Sequence, residues 1–423
     1  MRDAESLKSI MDELLAKTVE SVSVIDFVNV VIEYAYAAKA SDVHLEPGEN
    51  GLRIRFRIDG LLRDVVEPSR ASLALHQEVI SRIKVMSGLR TDAHFLPQDG
   101  RFRVRLADVG ELDVRVSIVP TYHGENSIMR VLAASSTFSL SDLGFWPKDF
   151  KKVEKAIHKP YGMILANGPT GSGKTTTLYT ILKELNKPDI SVITIEDPIE
   201  YSLEGTTQIQ TDVQTGLTFA NGLRSILRQD PNIIMVGEIR DEETANIAVN
   251  AALTGHLVLS TLHTNDAATT FPRLIDMGVP PFLVTSTVNI AMGQRLVRKL
   301  CDNCKKPTVL TAIELASLSE SFSEGENPFA SAVEHTQALK KKTFYMAVGC
   351  AKCANSGFVG RIGIREVLEV DEKIRELIIA RASAQEIKAA AVRAGMLTMF
   401  GDGITKASEG LTTIEEILRI VHE

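Results

Sequence analysis

The stretch MILANGPTGSGKTT, residues 163–176, joins a short apolar run to a glycine-rich turn. From Gly168 to Thr175 it matches the pattern G-x-x-x-x-G-K-[ST] at every fixed position. Glycines in such a turn let backbone N–H groups surround phosphate oxygens at the positive end of a helix dipole. The stretch therefore predicts an α/β nucleotide-binding domain, and an ordinary glycine-rich turn is the weaker interpretation.

The residues of this turn have separate expected roles. We expect Lys174 to reach the β- and γ-phosphates of ATP, and we expect the Thr175 hydroxyl to bind Mg²⁺. The nucleotide-binding loop is predicted to comprise Gly168, Pro169, Thr170, Gly171, Ser172, Gly173, Lys174, Thr175 and Thr176.

Strand patterns alternate with helical patterns along this part of the chain. The predicted strands are Met163–Asn167, Val192–Glu196, Ile233–Gly237 and Leu257–Thr261, and the predicted helices are Lys174–Leu185, Ala220–Arg228 and Glu242–Leu253. This alternation is typical of a largely parallel sheet with helices on both faces, here within a domain at residues 151–423.

Two acidic clusters follow predicted strands, where carboxylates can face the phosphates because parallel strands end at the ligand-binding edge. The second apolar strand of such ATPases usually ends in a magnesium-binding Asp, whereas here the run ending at Val236 is followed by Gly-Glu. We assign Glu238 to positioning the attacking water. Glu196, Asp197 and Glu200 are assigned to magnesium binding and its support, with solvated loop acids as the alternative for Asp197 and Glu200.

Two histidines, His256 and His263, bracket the third of these apolar strands. A histidine in such a place is most often a hydrogen-bonded structural residue. Because both are expected at the edge of the same crevice, sensing of the γ-phosphate is the alternative.

The first third of the chain has a different pattern. Residues 1–40 are predicted to be helical, and residues 41–132 contain short alternating runs around a helix at Arg70–Met86. Asp59-Gly60 is expected to form a hairpin turn. These features predict a small α+β domain, followed by a linker at residues 133–150 that begins with the serine-rich Ala133–Thr137.

Between Arg53 and Arg115 the chain has eleven arginines and one lysine. A charged sheet face would explain this, but lysine would serve equally, whereas the guanidinium of arginine forks onto phosphate or carboxylate. We therefore expect arginine fingers, with Arg101 and Arg115 as candidates that could instead pair with neighbouring Asp residues. Arg224 and Arg228, four apart on one predicted helix face, are expected to act in the same way.

Composition disfavours several classes of protein. The 423 residues include 47 Lys and Arg against 54 Asp and Glu, a net charge of −7, with 44% hydrophobic and 5% aromatic residues. These values exclude a disordered chain and argue against a strongly basic or base-stacking nucleic-acid binder. The start has no signal-peptide pattern and no stretch is apolar enough to span a bilayer, so we expect a soluble protein, which could still dock on a membrane complex.

All four cysteines lie in two C-x-x-C pairs, which are Cys301 with Cys304 and Cys350 with Cys353. Two such knuckles supply four thiolates to a tetrahedral Zn²⁺, whereas a redox pair would be expected in a thioredoxin-like context. We predict a structural zinc site that anchors an insertion at residues 301–353, which includes a polar stretch at Thr311–Lys342. No metal catalysis is expected, since four thiolates leave no open position.

Together these motifs resemble a known family. The matching segments are ASDVHLEP (Ala40–Pro47), RFRIDG (Arg55–Gly60), LPQDGR (Leu96–Arg101), GPTGSGKT (Gly168–Thr175), TIEDPIE (Thr194–Glu200), LRQDPN (Leu227–Asn232), VGEIRD (Val236–Asp241), TGHLVLSTLHTN (Thr254–Asn265) and the two cysteine pairs. They cover the chain from about Val24 to its end and make it similar to the hexameric ATPases of type II secretion and type IV pilus assembly.

The resemblance implies a small α+β (PAS-like) domain hinged to a RecA-like ATPase domain with a zinc-binding insertion and C-terminal helices. It maps an Asp box onto Glu196–Glu200, an atypical Walker B glutamate onto Glu238, and a His box onto His256–His263. The arginines of the family's ATP interface map onto Arg101, Arg115, Arg224 and Arg228. Full-length members of the assembly and secretion branch carry a further N-terminal partner-binding domain, whereas about 40 residues precede Ser41 here.

The implied activity is ATP hydrolysis, with Mg²⁺ and a structural Zn²⁺, that assembles a type IV pilus or a type II secretion pseudopilus. The implied partners are six copies of the chain, an inner-membrane platform protein and cytoplasmic components of the membrane complex, with no nucleic acid. The implied location is the cytoplasm, docked on the inner membrane. The alternatives are a DNA-translocating RecA-like hexamer and a nucleotide-gated scaffold with little turnover.

Overall fold

The structure is a computed structural model that describes residues 3–16, 21–66, 72–106, 110–132, 138–310 and 343–421. The chain divides into two compact units, residues 1–137 and residues 138–423, which we call the N-terminal and C-terminal units. Within the described ranges, no helix has the length and apolar character needed to cross a membrane. The predicted serine-rich stretch 133–137 and polar stretch 311–342 lie outside the described residues.

In its described residues, the N-terminal unit combines an antiparallel sheet with three helices. Its strands are β1 (Ala40–Gly48), β2 (Gly51–Ile58), β3 (Leu61–Val66), β4 (Gln98–Leu106), β5 (Gly110–Thr121) and β6 (Gly124–Leu132). Its helices are α1 (Ala4–Leu15), α2 (Val24–Ala37) and α3 (Leu73–Met86). The strand order is β3-β2-β1-β6-β5-β4, and every neighbouring pair is antiparallel.

One apolar core joins these helices to the sheet. It includes Phe27 of α2, Phe56 of β2 and Ile83 of α3, which are fully buried. The N-terminal residues predicted to be helical therefore form two helices that share their core with the sheet, and β1 begins at Ala40.

The local signals of this unit act as expected at two places. Asp59 and Gly60 join β2 to β3 with φ values of 51° and 88°, the positive values that a two-residue hairpin turn of type I′ requires. Helix α3 begins at Leu73 because the Ser72 hydroxyl accepts a hydrogen bond from the Leu75 N–H at 3.1 Å and caps the helix.

The C-terminal unit is built on a seven-stranded sheet. The strands are β7 (Gly162–Asn167), β8 (Val192–Glu196), β9 (Thr207–Gln210), β10 (Ile233–Val236), β11 (Leu257–Leu262), β12 (Val288–Leu300) and, after the short pair β13 (Lys306–Thr308) and β14 (Phe344–Met346), β15 (Phe358–Glu369). The order is β15-β12-β7-β11-β10-β8-β9, and all neighbours are parallel except β12 and β15. Strands β7, β8, β10 and β11 are buried along their whole length, which explains their continuous apolar runs.

Helices cover both faces of this sheet, as predicted. They are α4 (Pro147–Ile157), α5 (Lys174–Leu185), α6 (Phe219–Ile226), α7 (Glu242–Leu253), α8 (Thr270–Asp276), α9 (Pro281–Thr287), α10 (Glu372–Ile379), α11 (Ala384–Arg393), α12 (Met399–Ser408) and α13 (Ile414–Val421). Met163 and Leu165 of β7 contribute to the core on one face, and Ile164 and Ala166 to the core on the other. Neighbouring residues of one strand thus serve opposite layers.

The second part of the predicted linker is folded. Residues 140–143 form a 3-10 helix, and α4 begins at Pro147. Leu140 and Leu143 are buried in the core that α5 and β7 also line. The segment 138–150 is therefore part of the C-terminal unit.

Candidate functional site

Four predicted site elements meet at one edge of the large sheet. The glycine-rich loop follows β7, Glu196 ends β8, Glu238 comes two residues after β10, and His263 directly follows β11. These four strands are adjacent and parallel, so their carboxyl ends lie side by side. The structure thus places the phosphate loop beside two carboxylates and one histidine.

The loop has a backbone suited to anions. Gly168, Gly171 and Gly173 have φ values of 145°, 80° and 87°, a region that other residues rarely adopt. The Lys174 amino group donates hydrogen bonds to the carbonyl oxygens of Gly168 at 2.7 Å and Pro169 at 3.0 Å. Burial lowers the pKa of Lys174, an effect that the nearby Glu238 carboxylate opposes. The Lys174 amino group therefore lies against the loop, where it could bind a phosphate.

Glu238 is nearly buried and is held by two side chains. Its carboxylate accepts a hydrogen bond from the Arg240 guanidinium and lies 3.0 Å from His263 Nε2. The hydrogen bond to Glu238 raises the pKa of Arg240, whose guanidinium also lies 3.9 Å from the Asp197 carboxylate. His263, rather than standing apart, is therefore a direct neighbour of the predicted water-positioning group.

The turn that carries Glu238 is fixed by the strands on both sides. The Thr261 hydroxyl donates to the Gly237 carbonyl at 2.8 Å, and the Ile239 N–H donates to the Thr261 carbonyl at 3.0 Å. The Gly237 N–H donates to the Ile195 carbonyl at 2.8 Å. The glutamate side chain therefore projects from rigid backbone, as a group that must orient a water molecule requires.

Glu196, predicted to bind magnesium, is buried in a hydrogen-bonded cluster. Its carboxylate accepts hydrogen bonds from the Tyr179 hydroxyl, from the Thr194 hydroxyl at 2.6 Å and from Gln208 Nε2 at 3.1 Å. Burial raises the pKa of Glu196, although these three hydrogen bonds oppose the shift. Glu200 is half-buried, and its N–H contacts the same tyrosine hydroxyl at 3.4 Å. The cluster ties α5 to β8 and β9, so Glu196 could reach a cation only if those donors moved.

The structure corrects the placement of His256. This residue precedes β11 and therefore lies at the amino edge of the sheet, the edge opposite the phosphate loop. Its Nδ1 lies 2.9 Å from the Ala251 carbonyl oxygen near the end of α7, and its own carbonyl accepts the Gly162 N–H at 3.1 Å. The prediction that both histidines face one crevice is wrong for His256, whose contacts are structural.

Arg224 and Arg228 are both exposed. Arg224 on α6 donates to Glu243 Oε1 at 2.5 Å, whereas Arg228 lies beyond the end of α6 and donates to the Arg224 carbonyl at 2.9 Å. The expected common helix face is therefore wrong, because α6 ends at Ile226. Among the residues that the structure describes, Arg228 has no acidic partner.

Arg101 and Arg115 are neighbours in the sheet of the N-terminal unit. Arg101 of β4 is in register with Arg115 of β5, which is in register with Arg130 of β6. Residues in register share a face with Cβ atoms about 5 Å apart, so the three form a row that we call the arginine row. Arg130 donates to Asp42 at 3.0 Å, whereas Arg101 is exposed and has no hydrogen-bond or ion-pair partner within the described ranges. The alternative that Arg101 pairs with a neighbouring Asp is therefore not supported.

Three of these residues were not predicted. Arg240 lies in the motif VGEIRD, two residues after Glu238. The order charged, apolar, charged at Glu-Ile-Arg could have indicated that the two charged side chains are neighbours. Arg130 could be found only from the strand register. Gln294 on β12 donates a hydrogen bond to the phosphate loop, and no motif in the sequence points to it.

The four cysteine sulfurs form a compact cluster. All lie within 4.8 Å of one another, with Sγ distances of 3.9 Å for Cys301–Cys350, 3.8 Å for Cys304–Cys353 and 3.7 Å for Cys350–Cys353. Four sulfurs at about 2.3 Å from a tetrahedral Zn²⁺ would be about 3.8 Å apart. The N–H groups of Cys350 and Gly357 donate to Cys353 Sγ at 3.1 Å and 3.2 Å, as donors around metal thiolates do. The geometry fits one tetrahedral metal ion.

Comparisons of sequence agree with the site. A family model described as Type II/IV secretion system protein matches residues 17–419. The chain is 44% identical over 409 residues to the Type IV pilus assembly ATPase PilB of Myxococcus xanthus. The matched region covers 96% of this chain and 69% of that relative. It is 45% identical over 422 residues to the Type II secretion system protein E of Xanthomonas campestris, and the matched region covers 100% of this chain and 71% of that relative.

A comparison of structures gives the same fold. The chain is similar to the pilus retraction motor PilT with bound ADP, at 26% identity and a TM-score of 0.61, over 92% of this chain and 95% of that one. The predicted fold class, a RecA-like α/β domain preceded by a small α+β domain, is confirmed.

Proposed function

Since the chain belongs to the type II/IV secretion system protein family, we propose that it is the motor of a pilus or secretion machine. The chain is an ATP hydrolase, as its family and its relatives are. In the proposal, six copies form a ring that acts on an inner-membrane platform protein. Hydrolysis then drives addition of subunits to a type IV pilus or a type II secretion pseudopilus, and the ring docks on the membrane through cytoplasmic components of the complex.

The observation that carries this proposal is the meeting of the phosphate loop, Glu238 and His263 at one sheet edge. From its place over the loop, Lys174 reaches the β- and γ-phosphates, and the Thr175 hydroxyl binds the Mg²⁺ that accompanies ATP. Glu238 holds the attacking water in line with the γ-phosphate and accepts its proton. His263 fixes the orientation of Glu238, and Glu196 supports the loop helix through Tyr179.

The arginine row supports the mechanical part of the proposal. Arg101 is exposed and has no acidic partner within the described ranges, and aligned guanidinium groups can fork onto the oxygens of a polyphosphate. We propose that Arg101 and Arg115, with Arg224 and Arg228, complete the ATP site of a neighbouring subunit. ATP would then draw two subunits together and hydrolysis would release them, which is a switch able to do work on a partner.

A change at His263 should slow turnover and spare binding. We expect His263→Ala to lower kcat by roughly tenfold, the scale of one hydrogen bond to a charged group, because Glu238 loses one of its two orienting partners. The dissociation constant for ATP should stay within about twofold. The matched control is His256→Gln at the opposite edge of the sheet. Equal losses in the two variants, measured by steady-state hydrolysis, would contradict the role of His263.

The cysteine cluster supports a structural zinc ion. Cys301, Cys304, Cys350 and Cys353 would hold Zn²⁺ as four thiolates, and the ion would join the two knuckles that flank β13 and β14. The side-chain amide of Asn303, 3.4 Å from Cys350 Sγ, is well placed to stabilise a thiolate. With no fifth ligand position, the ion would take no part in hydrolysis.

Metal analysis tests this assignment. We expect one zinc per chain by elemental analysis, and we expect Cys301→Ser with Cys350→Ser to lose it. Loss of a few kcal/mol of stability should lower the unfolding midpoint of the C-terminal unit by roughly 5–10 °C. The control Asn303→Ala removes a donor but no ligand and should keep its zinc. Protein purified without chelators that holds no stoichiometric metal would refute the assignment.

The proposed motor has a direct test. We expect light scattering to find an assembly of six chains, and we expect hydrolysis per chain to rise with assembly. Adding the detergent-solubilised platform protein of the same system should raise kcat several-fold. A monomer with the full rate, or a ring indifferent to the platform protein, would count against the motor.

The same assay separates the two alternatives. A DNA translocase would be stimulated by single-stranded DNA, with binding that weakens steeply as salt rises. A nucleotide-gated scaffold would bind ATP without sustained turnover. The simultaneous presence of Lys174, Thr175 and Glu238 favours turnover.

A further inference from the structure

The side chain of Gln294 on β12 is buried against the phosphate loop. Its Nε2 donates to the Ser172 carbonyl at 2.7 Å, and its Oε1 accepts from the Thr177 hydroxyl of α5 at 2.8 Å. When the N–H groups of such a loop turn inward to phosphate, its carbonyl oxygens turn outward and need donors from the protein. Gln294 supplies that donor at Ser172 and also holds the first turn of the helix that follows.

The loop glycines leave room for this contact. A Cβ atom on Gly173 would lie 2.7 Å from Gln294 Nε2, and one on Gly168 would lie 2.5 Å from the Gln294 carbonyl oxygen. These glycines therefore serve two purposes, because they adopt positive φ and also let β12 approach the loop. Both ends of the loop rest on one residue of β12.

Gln294 is in turn held by a buried arginine. Arg365 of β15 is in register with Gln294 and donates from Nε to its Oε1 at 3.0 Å. The same guanidinium donates to the Leu143 carbonyl and lies over the Phe145 ring, 4.6 Å from its centroid. Burial lowers the pKa of Arg365 to about 10, although Asp402 opposes the shift. The Arg365 side chain thus connects Gln294, which contacts the phosphate loop, to the segment 140–145.

A buried acid and a lysine complete the cluster. The backbone N–H of Arg365 donates to Asp402 Oδ2 at 2.8 Å, and Lys406 Nζ lies 2.5 Å from the same oxygen. Lys406 also donates to the Gly363 carbonyl at 2.7 Å. Asp402 and Lys406 thus form a buried ion pair, whereas the Arg365 guanidinium is held by the oxygens of Gln294 and Leu143 and by the Phe145 ring. Because a buried charge is costly without such contacts, the cluster favours one arrangement of β15, α12 and the segment 140–145.

We propose that Gln294 and Arg365 are positioning residues that hold the phosphate loop in its binding conformation and couple it to the segment 140–145. Along the chain, that segment follows residues 133–137, through which the chain passes from the N-terminal unit. A shift of the loop on phosphate binding moves the Ser172 carbonyl, then Gln294 and Arg365, and then the Leu143 carbonyl. The proposal rests on the nucleotide site proposed above.

The positioning role is tested with Gln294→Glu. This variant keeps the length and the oxygen that faces Thr177 and Arg365, but it replaces the donor at the Ser172 carbonyl with a second acceptor. Titration with fluorescent ADP and Mg²⁺ should show a dissociation constant raised roughly five- to thirtyfold. The unfolding midpoint should be unchanged or higher, because the new carboxylate pairs with Arg365. A merely structural residue would lose stability and binding together.

Two further variants keep the test decisive. Gln294→Met removes every hydrogen bond at similar volume and should bind ADP no better than Gln294→Glu. The control Arg298→Met breaks another arginine pair of β12, with Glu416 at 2.5 Å, that does not touch the loop, and it should bind ADP as the unaltered chain does. Wild-type affinity in a folded Gln294→Glu protein, or in Gln294→Met if the first does not fold, would overturn the positioning role.

Hydrogen exchange tests the coupling. ADP with Mg²⁺ should change the exchange of amides in peptides covering residues 140–146 of the unaltered chain and of Arg298→Met. The change should be lost in Arg365→Lys, since lysine cannot contact Gln294 and Leu143 at once. If it persists there, the coupling is wrong. If the folded, unaltered chain fails to bind ADP, or Lys174→Ala binds it equally well, the nucleotide site itself is wrong.

Discussion

Subunits that carry Arg101→Ala and Arg115→Ala together are expected to hydrolyse ATP about 10³-fold more slowly than the unaltered chain. A guanidinium that forks onto γ-phosphate oxygens as they gain charge is worth about 10³–10⁵ in rate in known fingers. Both arginines project from neighbouring strands of one sheet, in register with each other and with Arg130. The sheet therefore fixes their backbone positions relative to each other, so both side chains start from the same face. The measurement is steady-state kcat of the assembled protein, with thermal unfolding in parallel.

A control for general loss of charge lies on the same strand. Arg103 is two residues from Arg101 and so shares its face, but it lies 3.5 Å from Glu111 in an exposed pair. Exposed pairs contribute little to stability, and this one is already neutralised. Arg103→Ala should therefore keep its rate within about twofold. A loss as large as that of the double variant would mean that net charge, and not the arginine row, decides the activity.

Mixing of variants shows whether these arginines act on a neighbouring subunit. Arg101→Ala/Arg115→Ala subunits are combined with Glu238→Gln subunits, each of which has little activity alone. If the arginines act in trans, mixed rings recover activity wherever an intact arginine pair faces an intact Glu238. No recovery, despite demonstrated exchange of folded subunits, would defeat the trans assignment.

Glu238→Gln is expected to lower kcat by roughly 10²-fold or more while ATP still binds. The amide can keep a hydrogen bond to water, but it cannot accept the proton, and loss of a general base has this magnitude. The amide also weakens the contacts with Arg240 and His263, so the side chain loses part of its orientation. Single-turnover hydrolysis and equilibrium nucleotide binding measure the two effects separately.

Two variants frame that result. Glu242→Gln changes an exposed acid in the first turn of α7 and should leave turnover unchanged. Lys174→Ala should lose affinity as well as rate, because its charge bears on the phosphates themselves. Hydrolysis by Glu238→Gln at the parental rate would show that another group positions the water.

Much of the C-terminal unit could be predicted because its signals are local. The motif at residues 168–175 fixes a turn, and the apolar runs of β7, β8, β10 and β11 are continuous because those strands are buried on both faces. From parallel strands alone it follows that the residues after them meet at one edge. The structure has Glu238 and His263 at that edge, and their proposed roles remain predictions.

Two predictions are wrong because the spacing of two residues along the chain does not show which edge or face of the fold each residue occupies. His256 and His263 are seven residues apart, but a strand lies between them, so they sit at opposite edges of the sheet. Arg224 and Arg228 have helical spacing, but α6 ends between them. An acidic residue at a strand end can also be turned inward, as Glu196 is by Tyr179, and no sequence pattern reports that choice.

Other features depend on register and could not be predicted. Arg101, Arg115 and Arg130 become neighbours only when β4, β5 and β6 are aligned, and a shift of one residue would send one of them to the other face. Gln294 and Arg365 are 71 positions apart and meet through the antiparallel pairing of β12 with β15. Such pairs have no local signature, since their partners are set by tertiary packing.

The arginine row has a practical consequence for anyone who handles the protein. Arginine forks match the oxygens of sulfate and phosphate as well as those of a nucleotide, and Arg101 is exposed. If the arginine row contacts ATP as proposed, sulfate or inorganic phosphate in a purification or assay buffer would compete there with the polyphosphate of ATP, whereas chloride would compete far less. Rates recorded in different buffer salts would then not be interchangeable, and a difference between two preparations should be checked first against their buffer anions.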